Sequence, residues 1–333
     1  MISHRLAIDL GTTNTLIHVE GQGVVVNEPT VVAVSNQNEI IAIGNEVKEM
    51  LGRTPDMIDI YRPIRSGVIA DFHITEAMLR HFIDKVIGKF RFFRPEVMLV
   101  VPGGVTSTER RAVIDAAKSA GAKEVYLIKA PLAAAIGSGI PVTEPVGNMI
   151  VALGGGTTET AVISLGGIVA SESIRVGGQD LDTAIVNYIR TKYNLFIGDQ
   201  TAEEVKHTIG SATFSRETLT MEIRGRDLRE GLPRTITINA TEITECLRDE
   251  LEKILMALRS VLEKTPPELA SDLLDSYIVL TGGSALLKHI DQLITNHVGM
   301  ECRVAEDPLF AVVKGAAMAL ANLDTYQKSV NVE

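Results

Sequence analysis

Ile8-Asp9-Leu10-Gly11-Thr12-Thr13-Asn14-Thr15 closes an apolar run near the N-terminus, and Val151-Ala152-Leu153-Gly154-Gly155-Gly156-Thr157-Thr158-Glu159-Thr160 repeats the pattern in mid-chain. Each continues into a second apolar stretch, Leu16-Ile17-His18-Val19 or Ala161-Val162-Ile163-Ser164. Both copies therefore read as strand, Gly/Thr turn, strand. Such a hairpin tip suits phosphate, because glycine permits close backbone approach and successive N–H groups form an anion-binding concavity. A single turn of this kind reads equally well as an ordinary Gly-rich hairpin, but two at matching positions favour the phosphate reading. Laying one copy on the other pairs Asp9 with Ala152. A carboxylate at a strand end beside a phosphate loop can hold a hydrated Mg²⁺, so the first copy keeps such a group and the second lacks it.

A chain of 333 residues exceeds the usual size of one core and predicts two domains. Its 45% hydrophobic and 22% charged residues are those of a packed globular protein. The formal net charge of −10 argues against nucleic acid as a partner, since displacing counterions from phosphates needs a basic face. Cys246 and Cys302 stand without C-x-x-C or His neighbours, which weakens disulfide, zinc and thiol-nucleophile readings. The first strand starts within about five residues, leaving no room for a signal peptide, and no apolar run approaches the ~18 residues that span a bilayer.

β-Branched runs at Leu6-Ala7-Ile8, Val24-Val25-Val26, Val31-Val32-Ala33-Val34 and Ile40-Ile41-Ala42-Ile43 predict an opening sheet. Val97-Met98-Leu99-Val100-Val101 is a buried strand ended by Pro102-Gly103-Gly104, with Thr106 or Ser107 capping a helix through Ala120 and Glu109 in its first turn. Tyr126-Leu127-Ile128 precedes a small-residue helix from Pro131 to Gly137, suited to tight packing. The segment 141–147, rich in turn formers, marks the crossing into a second half that repeats the first. There the expected elements are a helix from about Gln179 to Tyr193, an insertion to about Thr237, a helix from about Thr241 to Glu263, the strand Tyr277-Ile278-Val279-Leu280 and a closing helix from about Leu309 to Leu323. Thr281-Gly282-Gly283-Ser284 is a third glycine turn, expected to open a helix whose N-terminus attracts phosphate.

Three separated glycine turns, two of them duplicated hairpins, resemble the nucleotide-binding core shared by actin, Hsp70 chaperones and sugar kinases. Within that group the chain resembles the MreB family of bacterial actins, through Asp9 to Thr15, Gly67-Val68-Ile69-Ala70-Asp71, Glu109-Arg110-Arg111-Ala112, Pro131 to Gly139, Gly154 to Glu159, Gly225-Arg226-Asp227-Leu228, Thr265-Pro266-Pro267-Glu268-Leu269 and Ala305-Glu306-Asp307-Pro308. The resemblance implies an α/β, actin-like ATPase fold of two RNase H-like domains, each with an inserted smaller subdomain, and a nucleotide cleft between them. It places domain I at 1–144 plus 305–333 with an insertion at about 28–70, and domain II at 145–304 with an insertion at about 181–240. It further implies that Gly11, Thr12, Thr13 and Asn14 clasp the β/γ-phosphates and that Gly154, Gly155, Gly156 and Thr157 cradle them from the other side. Gly282, Gly283, Ser284 and Ala285 would lie near the adenosine and α-phosphate. Glu203 and Lys206, three apart on one helix face, would grip the ribose, although without the family such a pair reads as a solvated face. The implied cofactors are ATP or GTP with Mg²⁺, the metal held through water by Asp9.

Departures from the family pattern carry equal weight. The resemblance predicts two glutamates before the proline of the small-residue helix, the second orienting the water that attacks the γ-phosphate, and here stand Lys129 and Ala130. It predicts aspartate at the head of the second phosphate loop, and here stands Ala152. Losing a water-positioning residue and a Mg²⁺-shell carboxylate should each cost several kcal/mol in the barrier, while binding, which rests on loop amides and Asp9, is spared. Residual chemistry has candidates in Thr158 and in Glu159, but matching the loops pairs Glu159 with Asn14, which counts against it. Lys129 reads either as an ammonium near the phosphates or as a solvent-facing lysine.

Lys89-Phe90-Arg91-Phe92-Phe93-Arg94-Pro95 holds three of the chain's eight phenylalanines among cations, a composition that suits a lipid headgroup boundary and suits equally a fold-back into the core. The family resemblance favours membrane contact through Phe92 and Phe93, with avidity from many copies in a polymer. It implies a cytoplasmic, membrane-associated filament at the inner face of the cell membrane that helps determine rod shape by organising cell-wall synthesis, with itself, active paralogues and shape proteins as partners. The competing reading is a hydrolysis-competent ATPase or a sugar kinase-like enzyme of the same fold, against which Ala130 and Ala152 count.

Overall fold

In the computed structural model, which describes residues 4–50, 52, 57–88, 94–214, 219–326 and 330–332, the apolar runs pair into two sheets of one design. β1 (Arg5–Leu10), β2 (Asn14–Val19) and β3 (Gly23–Pro29) form an antiparallel meander, and β4 (Glu96–Val101) and β5 (Glu124–Lys129) extend it in parallel from the β1 edge. β6 (Asn148–Leu153), β7 (Thr158–Ser164) and β8 (Gly167–Ile174) repeat the meander, and β9 (Ile278–Thr281) and β10 (Cys302–Val304) repeat the parallel extension. The strand orders β5-β4-β1-β2-β3 and β10-β9-β6-β7-β8 are thus equivalent, with Val330–Val332 added at the free edge of β5. Parallel neighbours need crossovers, and helices supply them.

Register makes the duplication residue-specific. Asp9 lies opposite Leu16, and Ala152 lies opposite Glu159. The pairing of Asp9 with Ala152 therefore holds, but the counterpart of Glu159 is Leu16 and not Asn14. Matching the loops by their shared Gly-Thr-Thr spelling misplaces the second strand, because the position of a strand residue is set by its ladder partner.

α1 (Phe72–Ile87) and α2 (Ser107–Ser119) cover the outer face of the first sheet, where Leu6, Ile8, Met78, Phe82 and Leu99 are buried together. Thr106 is the cap of α2: its Oγ1 accepts from Glu109 N at 3.2 Å while Glu109 Oε2 accepts from Thr106 N at 2.8 Å, a reciprocal capping box. α3 (Ala130–Gly137) follows β5. In the second half α4 (Gly178–Tyr193), α5 (Asp199–Ile209) and the long α6 (Ala240–Lys264) pack around a separate core that includes Val151, Leu181, Ile185 and Leu258. α7 (Ala311–Ala321) then returns to the first half.

A third core joins the two sheets through α3 and α7, burying Ala7, Leu16 and Met98 of one sheet with Ile150, Ala152 and Ala161 of the other. Here the two helices touch backbone to backbone. A Cβ added to Gly137 would overlap Ala311 O, and one added to Gly315 would overlap Ala133 O. The reciprocal pattern shows why both helices need glycine at the crossing, and it realises the tight packing expected of the small-residue helix. Two further three-stranded antiparallel sheets lie apart from the main ones, one of Val32–Ser35, Ile40–Ile43 and Ile58–Tyr61, the other of Leu195–Phe196, Thr220–Asp227 and Pro233–Asn239. The strand Ile58–Tyr61 escapes the sequence reading because it is a short, mixed run.

Candidate functional site between the duplicated hairpins

The tips of the β1–β2 and β6–β7 hairpins meet face to face. A Cβ on Gly155 would overlap Thr13 Oγ1, and one on Gly156 would lie 2.7 Å from Thr12 Oγ1. Within each tip the first glycine is held against its own turn, since a Cβ on Gly11 would stand 2.5 Å from Asn14 O and one on Gly154 3.0 Å from Thr157 O. These glycines are present for space: any side chain would push the tips apart. Among the described residues no hydrogen bond engages the N–H groups of Thr12, Thr13, Gly155 or Gly156, whereas Gly154 N donates to Thr157 O at 2.8 Å. The apposed turns thus carry several backbone donors without a partner among the described residues, the chemistry of an anion site.

Surrounding groups fix the tips in place. Gly67 N donates to Thr12 Oγ1 at 2.9 Å, Thr30 Oγ1 donates to Gly11 O at 2.8 Å, and Gln179 Nε2 reaches across to Thr13 Oγ1 at 3.3 Å. Asn14 uses its Nδ2 on Asn27 Oδ1 at 3.2 Å. The third glycine turn joins from the side: Gly282 has φ +87° against Leu153 O, and Ser284 Oγ donates to Gly154 O at 2.9 Å. It opens not an α-helix but one 3₁₀ turn, Gly283–Leu286, and the next α-helix starts only at Ile290. The expected helix-dipole attraction is absent there, because four residues align too few peptide dipoles. Ala285 is buried in the core of the second half rather than on the open side of the turn.

Lys206 comes to the same place from α5. Its Nζ donates to Gly178 O at 3.0 Å and stands 2.8 Å from Asp182 Oδ1. A Cβ on Gly178 would lie 2.8 Å from Ser284 Oγ and 3.4 Å from Lys206 Nζ, so the lysine, the third turn and the start of α4 converge. Burial raises the Asp182 carboxyl despite that lysine. Glu203, half-buried, acts on this group through its charge on Asp182. Gly67, Gln179, Gly178 and Asp182 were missed as participants; the Gly177-Gly178-Gln179 run at a helix start was the available signal. Asp9 lies behind the first tip, where burial pushes its carboxyl up to about 7.

This architecture has known relatives. A family model described as MreB/Mbl protein matches residues 3–328. The chain belongs to the MreB/Mbl family. It is 50% identical over 332 residues to the cell shape-determining protein MreB of Escherichia coli K12, covering 98% of this chain and 96% of that one. It is 46% identical to the cell shape-determining protein Mbl of Bacillus subtilis, covering 98% and 99%. Among solved structures, MreB5 of Spiroplasma citri bound to ADP superposes with a TM-score of 0.92 at 38% identity, covering 98% of each chain. A MamK double helical filament matches at 0.79 with 19% identity over 96% of this chain and 99% of that one, a likeness of fold alone. The fold is therefore the actin-like one, with two sheet-containing domains.

Positions 130 and 152 both border the core that joins the two sheets. Ala152, 6% exposed, belongs to the apolar core shared by the two sheets, and Ala130, in the first turn of α3, is partly buried against that same core. Neither position offers a polar atom beyond the backbone. Glu159, 3% exposed, is the cross-strand neighbour of Ala152, yet both its oxygens are engaged: Ser173 Oγ donates to Oε1 at 2.7 Å and Gly103 N to Oε2 at 3.0 Å. Thr158 is buried with its Oγ1 donating to Val176 O at 2.8 Å, so its hydroxyl ties the strand to the chain beyond β8. Lys129 caps the start of α3 without a side-chain hydrogen bond to it. Phe92 and Phe93 lie outside the described residues. Among the described residues no helix is long and apolar enough to cross a membrane.

Proposed function

We propose that this MreB/Mbl chain is a nucleotide-binding cytoskeletal subunit whose hydrolytic step is weak or lost. The observation that carries the reading is the pair of apposed glycine tips with free N–H donors, beside which Ala130 and Ala152 occupy an apolar core. The donor set fits a polyphosphate: backbone N–H groups on two facing turns, and the hydroxyls of Thr12 and Thr13 beside them. Gly11 to Asn14 and Gly154 to Thr157 would hold the β/γ-phosphates, with Gly282, Gly283, Ser284 and the Glu203/Lys206 pair toward the nucleoside. Adenine nucleotides are favoured, because the Spiroplasma relative is described with ADP and with AMPPNP. Mg²⁺ when bound supplies charge neutralisation at the phosphates, and Asp9, once ionised, is the residue to hold it through water.

Phosphoryl transfer to water needs a group that orients the nucleophile and charges that meet the developing transition state. Ala130 and Ala152 can do neither, and Glu159 is committed to Gly103 and Ser173. Grip and cutting are thus separated in one cleft. Such a subunit serves as a structural or regulatory member of a filament, and its relatives' role in determining cell shape extends to it on this reading. Self-association, contact with shape and cell-wall proteins, and attachment to the inner face of the membrane through Phe92 and Phe93 complete the proposal.

Phosphate release from the purified protein with Mg·ATP, run beside the Ala130→Glu/Ala152→Asp double variant, tests the core claim. Little release by the natural chain and a large gain in the variant support it, and robust turnover by the natural chain rejects it. Co-sedimentation with vesicles containing anionic phospholipid, using Phe92→Ser/Phe93→Ser, tests attachment separately: undiminished binding by the variant removes the loop from the proposal.

A further inference from the structure

Glu159 invites a role of its own. In the first hairpin the equivalent ladder position is Leu16, which packs into the core shared by the two sheets. The second hairpin places a carboxylate at that position and buries it to 3% exposure. A buried carboxylate is unfavourable unless its oxygens are hydrogen-bonded, and both are, from opposite sides of the domain boundary. Ser173 belongs to β8 in the second sheet, while Gly103 lies in the turn that leaves β4 of the first.

The neighbouring residues are shaped to that contact. A Cβ on Gly103 would stand 2.9 Å from Glu159 Oε2 and 3.8 Å from Pro131 Cγ, and one on Gly104 would stand 3.5 Å from Ser173 Cβ. Gly103-Gly104 is thus a side-chain-free surface laid directly on the second domain. Immediately beyond it, the charge of Arg175 from the second half acts on Glu109, the capping glutamate of α2. The contact lies beside α3, whose first turn carries Ala130 and Pro131.

We propose that Glu159 is an interdomain clasp, a positioning residue that holds the Pro102–Gly104 turn of one domain on β7 and β8 of the other and keeps the cleft closed without help from bound nucleotide. The clasp rests on the geometry alone, while its value to a non-hydrolysing filament subunit rests on the function proposed above. A subunit that does not cycle through hydrolysis gains from a closed form set by its own side chains.

Amide hydrogen exchange on the nucleotide-free, full-length protein tests it. In the natural chain the Gly103 amide should be protected, and Glu159→Ala should speed exchange in the 102–106 segment at least about tenfold while β4 and β7 keep their protection. Ser173→Ala, which leaves the Gly103 bond but frees Oε1, should give a smaller increase. Gly103→Ala perturbs the contact from the other domain and should reproduce the Glu159→Ala pattern, which keeps the test valid if the first variant folds poorly. Small-angle scattering should show an expanded nucleotide-free Glu159→Ala that contracts on adding Mg·AMPPNP, against a natural chain of constant dimensions. An unprotected Gly103 amide in the natural chain, or equal exchange in all variants, overturns the clasp. Because none of these readouts measures phosphate release, the clasp and the impaired hydrolysis can fail independently.

Discussion

The two hairpins share register, loop geometry and position in their sheets, yet they differ at a pair of facing residues. The first carries Asp9 opposite Leu16, and the second carries Ala152 opposite Glu159. Each therefore has one carboxylate and one apolar side chain on adjoining strands, with the carboxylate exchanged between strands. The exchange changes what the acid can do. Asp9, near the end of β1, accepts no side-chain hydrogen bond among the described residues, and burial leaves its carboxyl at about 7. Glu159 is longer and spends both oxygens, Oε2 on Gly103 of the opposite domain and Oε1 on Ser173 of its own. One fold element, duplicated, thus offers a carboxyl without a side-chain partner among the described residues in one copy, the group proposed above to hold Mg²⁺, and a hydrogen-bonded one in the other.

The sharpest way to break the contrast is to give positions 130 and 152 the carboxylates they lack. Ala130→Glu with Ala152→Asp should raise Mg·ATP-dependent phosphate release by about 100-fold or more, since restored positioning and charge are each worth on the order of 2–4 kcal/mol. A gain under about threefold would mean that other features of the cleft have also diverged. Next in size, Gly155→Ala sets a methyl into Thr13 and should weaken adenine nucleotide binding about 100-fold by titration calorimetry. Gly154→Ala, whose Cβ would meet Thr157 O at 3.0 Å, should cost less, so equal losses would refute the face-to-face packing of the tips.

On stability, Leu16→Ala should cost about 2–4 kcal/mol by denaturant unfolding, because it leaves a cavity where the two sheets share a core. The smallest expected effect concerns Asp9 in metal-free protein. Its carboxyl titrates near 7 when folded, against 3.8 as its ordinary value, so between these values the folded chain holds a proton that the unfolded chain has released. Its contribution is then fully present below about pH 4 and is lost as pH rises through 7. In EDTA, Asp9→Asn should flatten the fall in Tm between pH 5 and 8 and raise Tm at pH 8 by about 2–4 °C, measured by calorimetry. An unchanged pH profile would show that Asp9 is hydrated in solution.

Much of the cleft was legible along the chain because phosphate loops are local: Gly11 to Asn14 and Gly154 to Thr157 need only their own glycine spacing to form a hairpin tip. Lys129, Ala130 and Ala152, on which the proposed loss of hydrolysis rests, were equally legible, because side-chain identity is local. What escaped were the groups that enter from far away in sequence, such as Gly67 on Thr12, Gln179 on Thr13 and Gly103 on Glu159. The third turn misled for a related reason, since Gly282-Gly283-Ser284 has the composition of a helix start but closes as a single 3₁₀ turn against Leu153.

By itself, then, the sequence determined the periodic elements, the duplication and the apolar side chains at positions 130 and 152, because strands, glycine turns and side-chain identity are local properties. Tertiary structure alone decided which carboxylate serves which purpose. That choice depends on strand register and on what lies across the domain boundary: Glu159 is a clasp only because the ladder sets it opposite Ala152 and the fold brings the Gly103 amide to within 3.0 Å of it.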